Sequence, residues 1–221
     1  MITLAIDAST YQGDVALLDG ERVLAELSVA MKGADEERLM PAVATALEQA
    51  GLAPVDIQRV VCGAGPGSFT SLRIAGAIAK GIAMGVGCPL FALPSMALIV
   101  GGADLAPGRY LVAVDALRSE AYVGLFDVGI DRTPIEVERA RLVPMSSVDA
   151  VAAEFEARVV SPSGLPDAIR AVPRACAVGR LETMLATLGP VDLSSWEPAY
   201  GRLAEAQVRW ESAHGRPLPA G

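Results

Sequence analysis

The chain has 221 residues, of which 52% are hydrophobic, 20% charged and 5% aromatic, a composition that excludes a disordered chain and suits one large domain or two lobes. A formal net charge of −8 argues against a direct grip on nucleic acid, which Lys and Arg drive by displacing counterions from phosphates. Cys62, Cys88 and Cys176 form no C-x-x-C pair and point to neither a disulfide framework nor a zinc site; they read as buried apolar side chains in a reducing cytosol.

In chain order, MITLAIDAST carries no basic leader and Asp7 interrupts its apolar run, so a strand is expected there and not a signal peptide. ITLAID, DVALL and VLAELSV alternate in polarity, with Asp19-Gly20 between the second and third, which predicts an antiparallel meander. Residues 35–51 place Leu39, Val43, Leu47 and Ala50 at helical spacing and stop at Gly51, as a helix with a glycine cap does. VDIQRVVCGA reads as a buried strand, followed by the loop GAGPGS and a helix from about Phe69 to Val86. The uncharged stretch Gly81 to Ala103 is long enough to span a bilayer, but Gly85, Gly87, Pro89, Pro94, Gly101 and Gly102 divide it into a helix end, a short strand and a short helix of the core. No membrane segment is expected. The first half thus reads βββαβα.

The second half begins again. At an offset of 108 residues, Ala5, Asp7, Ala8, Val15, Leu17 and Asp19 fall without a gap on Ala113, Asp115, Ala116, Val123, Leu125 and Asp127. Alternating strands share a small alphabet and can match by chance, yet two aspartates at equivalent strand ends favour duplication. Two lobes are expected, 1–103 and 104–221. The second continues with helices at 146–158 and 179–188, an irregular stretch between them, and a final helix at 203–212, a candidate to pack back on the first lobe.

The glycine loop matches neither the P-loop nor the dinucleotide fingerprint. Two readings stand: a structural turn, or an anion and nucleotide contact through Asp7, Ser9, Thr10, Gly65, Gly67 and Ser68. Asp7 and Asp115 could face each other across a cleft and hold magnesium, as in a two-lobed ATPase. Against this, ASTYQG puts Ser9 where a phosphate-wrapping turn favours glycine, and ALRSEA has no glycine. One histidine, His214, in a Pro/Gly-rich tail supplies neither a general base nor a metal pair, so no catalytic residue and no metal ligand is expected.

Between Ser71 and Gly87 only Arg73 and Lys80 are charged, so this helix must be covered on more than one side. It is either a central core helix or one that covers its own sheet with one face and a partner with the other. The second option makes Leu39, Val43, Leu72, Ala75, Gly76, Ala79, Ile82 and Ala83 the candidate interface.

GPGSFTSLRIAGAIAKGIA resembles the signature of the bacterial TsaB family, GPGSFTGLRIG followed by a helix with A-K-G, and AIDAST, VDALRSEAYVGLF and EPAYGRLAEAQ agree in order and spacing. The resemblance implies an α/β fold of two duplicated actin-like (ASKHA, RNase H-like) lobes, similar to sugar kinases and Hsp70. It also implies a non-catalytic scaffold role in forming N6-threonylcarbamoyladenosine at position 37 of tRNAs that read codons beginning with A. In that pathway a separate enzyme makes threonylcarbamoyl-adenylate, the metal-bearing paralogue TsaD transfers the group, and the ATPase TsaE resets the complex. The implied partners are a TsaD-like paralogue, a TsaE-like ATPase and a second copy in a homodimer, with tRNA met only through the complex, in the cytoplasm. No cofactor is implied for the chain alone, beyond weak ATP or ADP with magnesium at the complex. Ser71 and Ala75 stand where the signature has glycine, and Ala34-Asp35-Glu36 where many members carry a histidine, which puts the partner geometry in question. The residues alone leave open a small two-lobed ATPase or kinase; a metallopeptidase is disfavoured by the single histidine.

Overall fold

The computed structural model describes residues 1–31, 37–200 and His214. Ala34-Asp35-Glu36, the beginning of the helix predicted at 35–51 and the helix predicted at 203–212 lie outside the described residues.

β1 (Ile2–Asp7), β2 (Gln12–Asp19) and β3 (Arg22–Ala30) form the expected meander, with Gly20 at φ 61° in the tight turn. β4 (Arg59–Gly63) and β5 (Leu90–Leu93) add in parallel on the other side of β1, giving the order β3-β2-β1-β4-β5. α1 (Leu39–Ala50) and α2 (Phe69–Val86) connect them and cover one face, which is why β1 and β4 carry near-continuous apolar runs. The Glu37 carboxylate accepts from the Met40 N–H at 3.1 Å at the head of α1, and left-handed Gly51 (φ 66°) and Gly87 (φ 73°) close the two helices, a conformation glycine adopts without a Cβ clash.

β6 (Gly108–Asp115), β7 (Glu120–Val128), β8 (Pro134–Pro144), β9 (Arg158–Ser161) and β10 (Ile169–Arg170) repeat that topology in the order β8-β7-β6-β9-β10. α4 (Val148–Glu154) takes the place of α1 and is shorter than the predicted 146–158, since Met145–Ser147 is a 3-10 turn and Arg158 already begins β9. Where the first lobe has the glycine loop and α2, the second has only the irregular 162–168. The predicted helix at 179–188 divides into a 3-10 helix, Ala175–Arg180, and α5 (Glu182–Leu188).

The gapless overlay slips by one residue. Ile6 lies opposite Val15 and Ala113 opposite Val123, so Val123 matches Val15 as overlaid, but its strand partner Ala113 matches Ile6 and not Ala5. Leu4 and Ile6 face the layer of α1 and α2, as Leu111 and Ala113 face that of α4. A one-residue slip turns every side chain to the other face, so Asp7 corresponds to Val114, and Asp115 to Ala8.

α3 (Ser95–Gly102) runs between the two sheets and is buried from Ser95 to Gly101. Met96, Ala97, Leu98, Ile99 and Val100 share one apolar cluster with Ala5, Ala16, Leu18, Val61 and Leu93 of the first lobe and Tyr110, Val112, Val114, Tyr122 and Phe126 of the second. A helix apolar all round belongs in such a place, and each large side chain buried there stabilises the closed lobes by about 1.5–3 kcal/mol. α2 is also, by length and composition alone, apolar enough to cross a membrane; here one side of it packs on the first sheet.

Two bidentate ion pairs cross the rim in opposite directions: Arg59 to Glu182 at 2.9 and 2.6 Å, and Arg174 to Glu26 at 2.9 and 2.6 Å. Beside the second pair lies Asp14, 1% exposed, accepting from the Ala175 N–H at 2.6 Å and from Ser28 Oγ. After α5 the chain returns to the first lobe, where the Val191 N–H donates to the Leu90 carbonyl at 2.8 Å. Residues 189–200 thus run along the first lobe, although the sequence division counts them with the second.

Burial pushes the Asp14 carboxyl up to about 6, against the opposing hydrogen bonds from Ser28 and Ala175. The folded protein therefore holds this proton more tightly than the unfolded chain, and the group's contribution to stability grows as pH falls from about 7 towards 4. Asp14→Asn is expected to raise stability near pH 7.5 by about 1–3 kcal/mol and to flatten the pH dependence above 4, as read from urea midpoints across that range.

Candidate functional site

β1 ends at Asp7, fully buried and on the face of its sheet that looks towards the second lobe. Its Oδ1 accepts from the Ser9 N–H (2.9 Å) and Ser9 Oγ (2.8 Å), and its Oδ2 accepts from Ser95 Oγ (2.6 Å). Ser95 Oγ in turn accepts from the Gly65 N–H at 2.9 Å. Burial raises the Asp7 carboxyl above the ordinary range, while the hydrogen bonds from Ser95 and Ser9 pull it back.

The glycines of GAGPGS answer to these contacts. A Cβ on Gly63 would lie 1.8 Å from Asp7 Oδ2, and one on Gly67 2.0 Å from the Ser9 carbonyl oxygen. Gly65 has φ 90°, and a Cβ there would lie 2.6 Å from the Ala199 carbonyl oxygen. Two further backbone donors of the loop are paired: Ala64 N–H to the Leu93 carbonyl (2.7 Å) and Ser68 N–H to the Ser9 carbonyl (2.8 Å). The Ala199 N–H closes the other side on the Ala64 carbonyl at 2.7 Å. A phosphate bound at a helix start relies on such N–H groups being unpaired; those of Ala64, Gly65 and Ser68 are already engaged within the chain.

Of the residues named from sequence, Asp7, Ser9, Gly65, Gly67 and Ser68 are brought together. Thr10 is not: its hydroxyl is engaged with Gln12 backbone atoms at 3.1 and 3.2 Å within the hairpin turn. The facing aspartates are corrected. Asp115 is exposed, accepts from the Leu117 N–H at 2.7 Å and, because of the one-residue slip, lies on the other face of its sheet. His214 is exposed. Among the described residues no three His, Cys, Asp or Glu side chains gather where they could hold a metal ion. Burial pushes the thiol of Cys62 far up and that of Cys176 up to about 12, so neither is a ready nucleophile. Ser95, Gly63 and Asp14 escaped the sequence reading. Proline followed by serine at a helix start, and glycine at every second position from 63 to 67, were the signals for the first two; nothing local marks Asp14, whose partners are distant in sequence.

The expected interface residues are corrected too. Leu39, Val43, Leu72, Ala75, Ala79 and Ala83 are all 0% exposed; Gly76 is buried beneath Pro198 and Trp196, and Ile82 is half-buried. They belong to the interior of the first lobe. Ser71 is also buried and shares a hydrogen bond with Ser68 at 3.0 Å. The free side of α2 carries Arg73, Ala77, Gly81 and Met84. Met84 is 67% exposed, and Met40 on α1, 44% exposed, lies beside exposed Ala44 on that helix.

Gly67→Ala drives a methyl into a fixed backbone carbonyl and is expected to destabilise the fold by several kcal/mol, on the scale of about 3. Gly85→Ala, in the same segment but with open space around its Cβ, is expected to stabilise by about 0.5–1 kcal/mol. Thermal melts of the two variants beside the parent check both signs.

A family model described as TsaD, tRNA N6-adenosine threonylcarbamoyltransferase, matches residues 31–159, more than half of the chain. The tRNA threonylcarbamoyladenosine biosynthesis protein TsaB of Bacillus subtilis is 35% identical over 126 residues, 57% of this chain and 55% of that protein. TsaB of Escherichia coli is 35% identical over 124 residues, 55% of this chain and 53% of that protein. The chain therefore spans about half the length of the curated relatives it matches. A crystal structure of an uncharacterized protein with similarity to peptidase YEAZ, from Pseudomonas aeruginosa, superposes with a TM-score of 0.75 at 26% identity, covering 91% of this chain and 99% of that one. The chain belongs to the family of TsaD-type tRNA N6-adenosine threonylcarbamoyltransferases, and TsaB proteins are its named relatives.

Proposed function

We propose that this chain is a non-catalytic subunit in the formation of N6-threonylcarbamoyladenosine at position 37 of tRNAs that read codons beginning with A. It binds and activates a TsaD-like transferase, meets tRNA and a TsaE-like ATPase only within that complex, and pairs with a second copy of itself when the transferase is absent. The observation that carries this reading is the closed space between the lobes. α3 and its apolar neighbours fill it, and the Ala64, Gly65 and Ser68 N–H groups at the glycine loop are held by the chain's own carbonyl and hydroxyl oxygens. What remains for function is surface. The free side of α1 and α2, with exposed Met40, Ala44, Ala77, Gly81 and Met84 beside Arg73, offers a surface on which another helix pair can pack at about 8–10 Å between axes. ATP or ADP, in this reading, is met weakly and only at the complex.

Met84→Glu is expected to leave the chain folded by circular dichroism while weakening both self-association and transferase binding at least about tenfold, because the carboxylate is exposed in the monomer and buried in the complex. Ala79→Glu is expected to unfold the chain, since Ala79 is already enclosed. Light scattering, pull-down with the transferase and the modified-nucleoside content of tRNA in a deletion strain read the outcome. Robust ATP turnover by the isolated chain, lost in Asp7→Ala, or tRNA modification that survives the deletion, overturns the proposal.

A further inference from the structure

α2 carries two charged residues, Arg73 and Lys80, and each is propped by an aromatic ring. The Arg73 guanidinium carbon sits 5.7 Å from the Phe69 ring centroid, and that ring contacts Tyr200 at 4.5 Å between centroids. Lys80 Nζ sits 5.9 Å from the Trp196 ring. Trp196 and Tyr200 belong to the 189–200 segment, which is fastened to the first lobe by the Val191 and Ala199 backbone bonds and by Pro198 against Gly76. Seven residues apart on one helix, the two cations lie on one stripe about 20° apart in azimuth and roughly 10 Å apart along the axis, with Ala77 between them and Met84 beyond. Among the described residues no carboxylate pairs with either within ion-pair distance, although Asp192 and Glu197 are near enough to influence Lys80 and Tyr200.

Long cationic side chains normally lose much rotamer freedom when they enter an interface. Stacked on rings held by an anchored segment, these two have lost part of it beforehand, which is how affinity is gained through preorganisation. We propose that the 189–200 segment sets Arg73 and Lys80 as a two-point electrostatic clamp for a partner protein that presents two carboxylates at matching spacing, as on one face of a helix two turns apart. This rests on the docking reading of α1 and α2 given above and specifies the chemistry of the occupant. A second copy of this chain is the weaker match, in keeping with self-pairing only when the transferase is absent: an isologous contact along these helices brings four cations together, and α1 supplies one carboxylate, Glu48, per copy. An RNA backbone matches less well than an acidic protein, because the stripe between the cations is apolar, the half-buried rings are engaged with the cations and with one another, and the neighbouring charges are negative.

The test uses the full chain and the TsaD-type transferase of the same organism, with affinity measured by calorimetry at low and high salt. The double variant Arg73→Glu/Lys80→Glu, at exposed and half-exposed positions, is checked for folding by circular dichroism. Loss of at least about tenfold in affinity and a flattened salt dependence are expected, whereas the conservative double variant Arg73→Lys/Lys80→Arg should bind as the parent does. If the parent binds and the reversal changes nothing, the clamp is refuted and the docking reading stands. If the parent does not bind the transferase, both fall. If transferase binding is intact but the reversal abolishes tRNA binding by the isolated chain, the two cations serve RNA and the acidic-protein proposal is overturned.

Discussion

The two sheets are held together by a slab of apolar side chains around α3, and almost everything else about this chain follows from that slab. Because α3 has an apolar face towards each sheet, neither lobe can swing away without exposing Met96, Leu98, Ile99 and Val100 to water. The Arg59–Glu182 and Arg174–Glu26 pairs fasten the rim. Arg59 is nearly buried, so losing its carboxylate would strand a charge at a penalty of about 3–5 kcal/mol. A two-lobed enzyme that opens and closes around a nucleotide needs a wet cleft between its lobes; this arrangement puts core there.

With the interior closed, the glycine loop takes on a structural task. Asp7 with Ser9, Ser95 and Ala199 come from three separate parts of the chain and meet at the loop. Three glycines at alternate positions let backbone and carboxylate approach to distances that a Cβ would forbid. The same knot orients α2 and fastens the segment that carries Trp196 and Tyr200. Interior packing and the outer surface are therefore coupled: the loop positions the helix, and the returning segment sets the two cations on it.

Much of the architecture was legible in the sequence. Alternating runs separated by Asp19-Gly20 gave the meander, Gly51 and Gly87 marked helix ends, and the repeat at an offset of 108 residues announced the second lobe. Hidden from it was any fact that depends on register between distant strands. The overlay matched Asp7 with Asp115, but a hairpin one residue shorter in the second lobe turns them to different faces. The helix apolar nearly all round posed a similar limit. Its pattern shows that both sides need cover, but not which side the chain itself provides, and the small residues chosen as an interface proved to be interior. Arg73 and Lys80 were the better guides to the free face, because a charge on an otherwise uncharged helix marks where water or a partner begins.

Core closes the space between the lobes, and the Ala64, Gly65 and Ser68 amides at the glycine loop are bonded within the chain. Native-state hydrogen exchange with and without magnesium-ATP tests this closure most directly. α3 and the Gly65 and Ser68 amides are expected to exchange only with global unfolding, and to be indifferent to the nucleotide. Opening of α3 at a free energy well below that of unfolding, or new protection of the loop amides on adding magnesium-ATP, would contradict it.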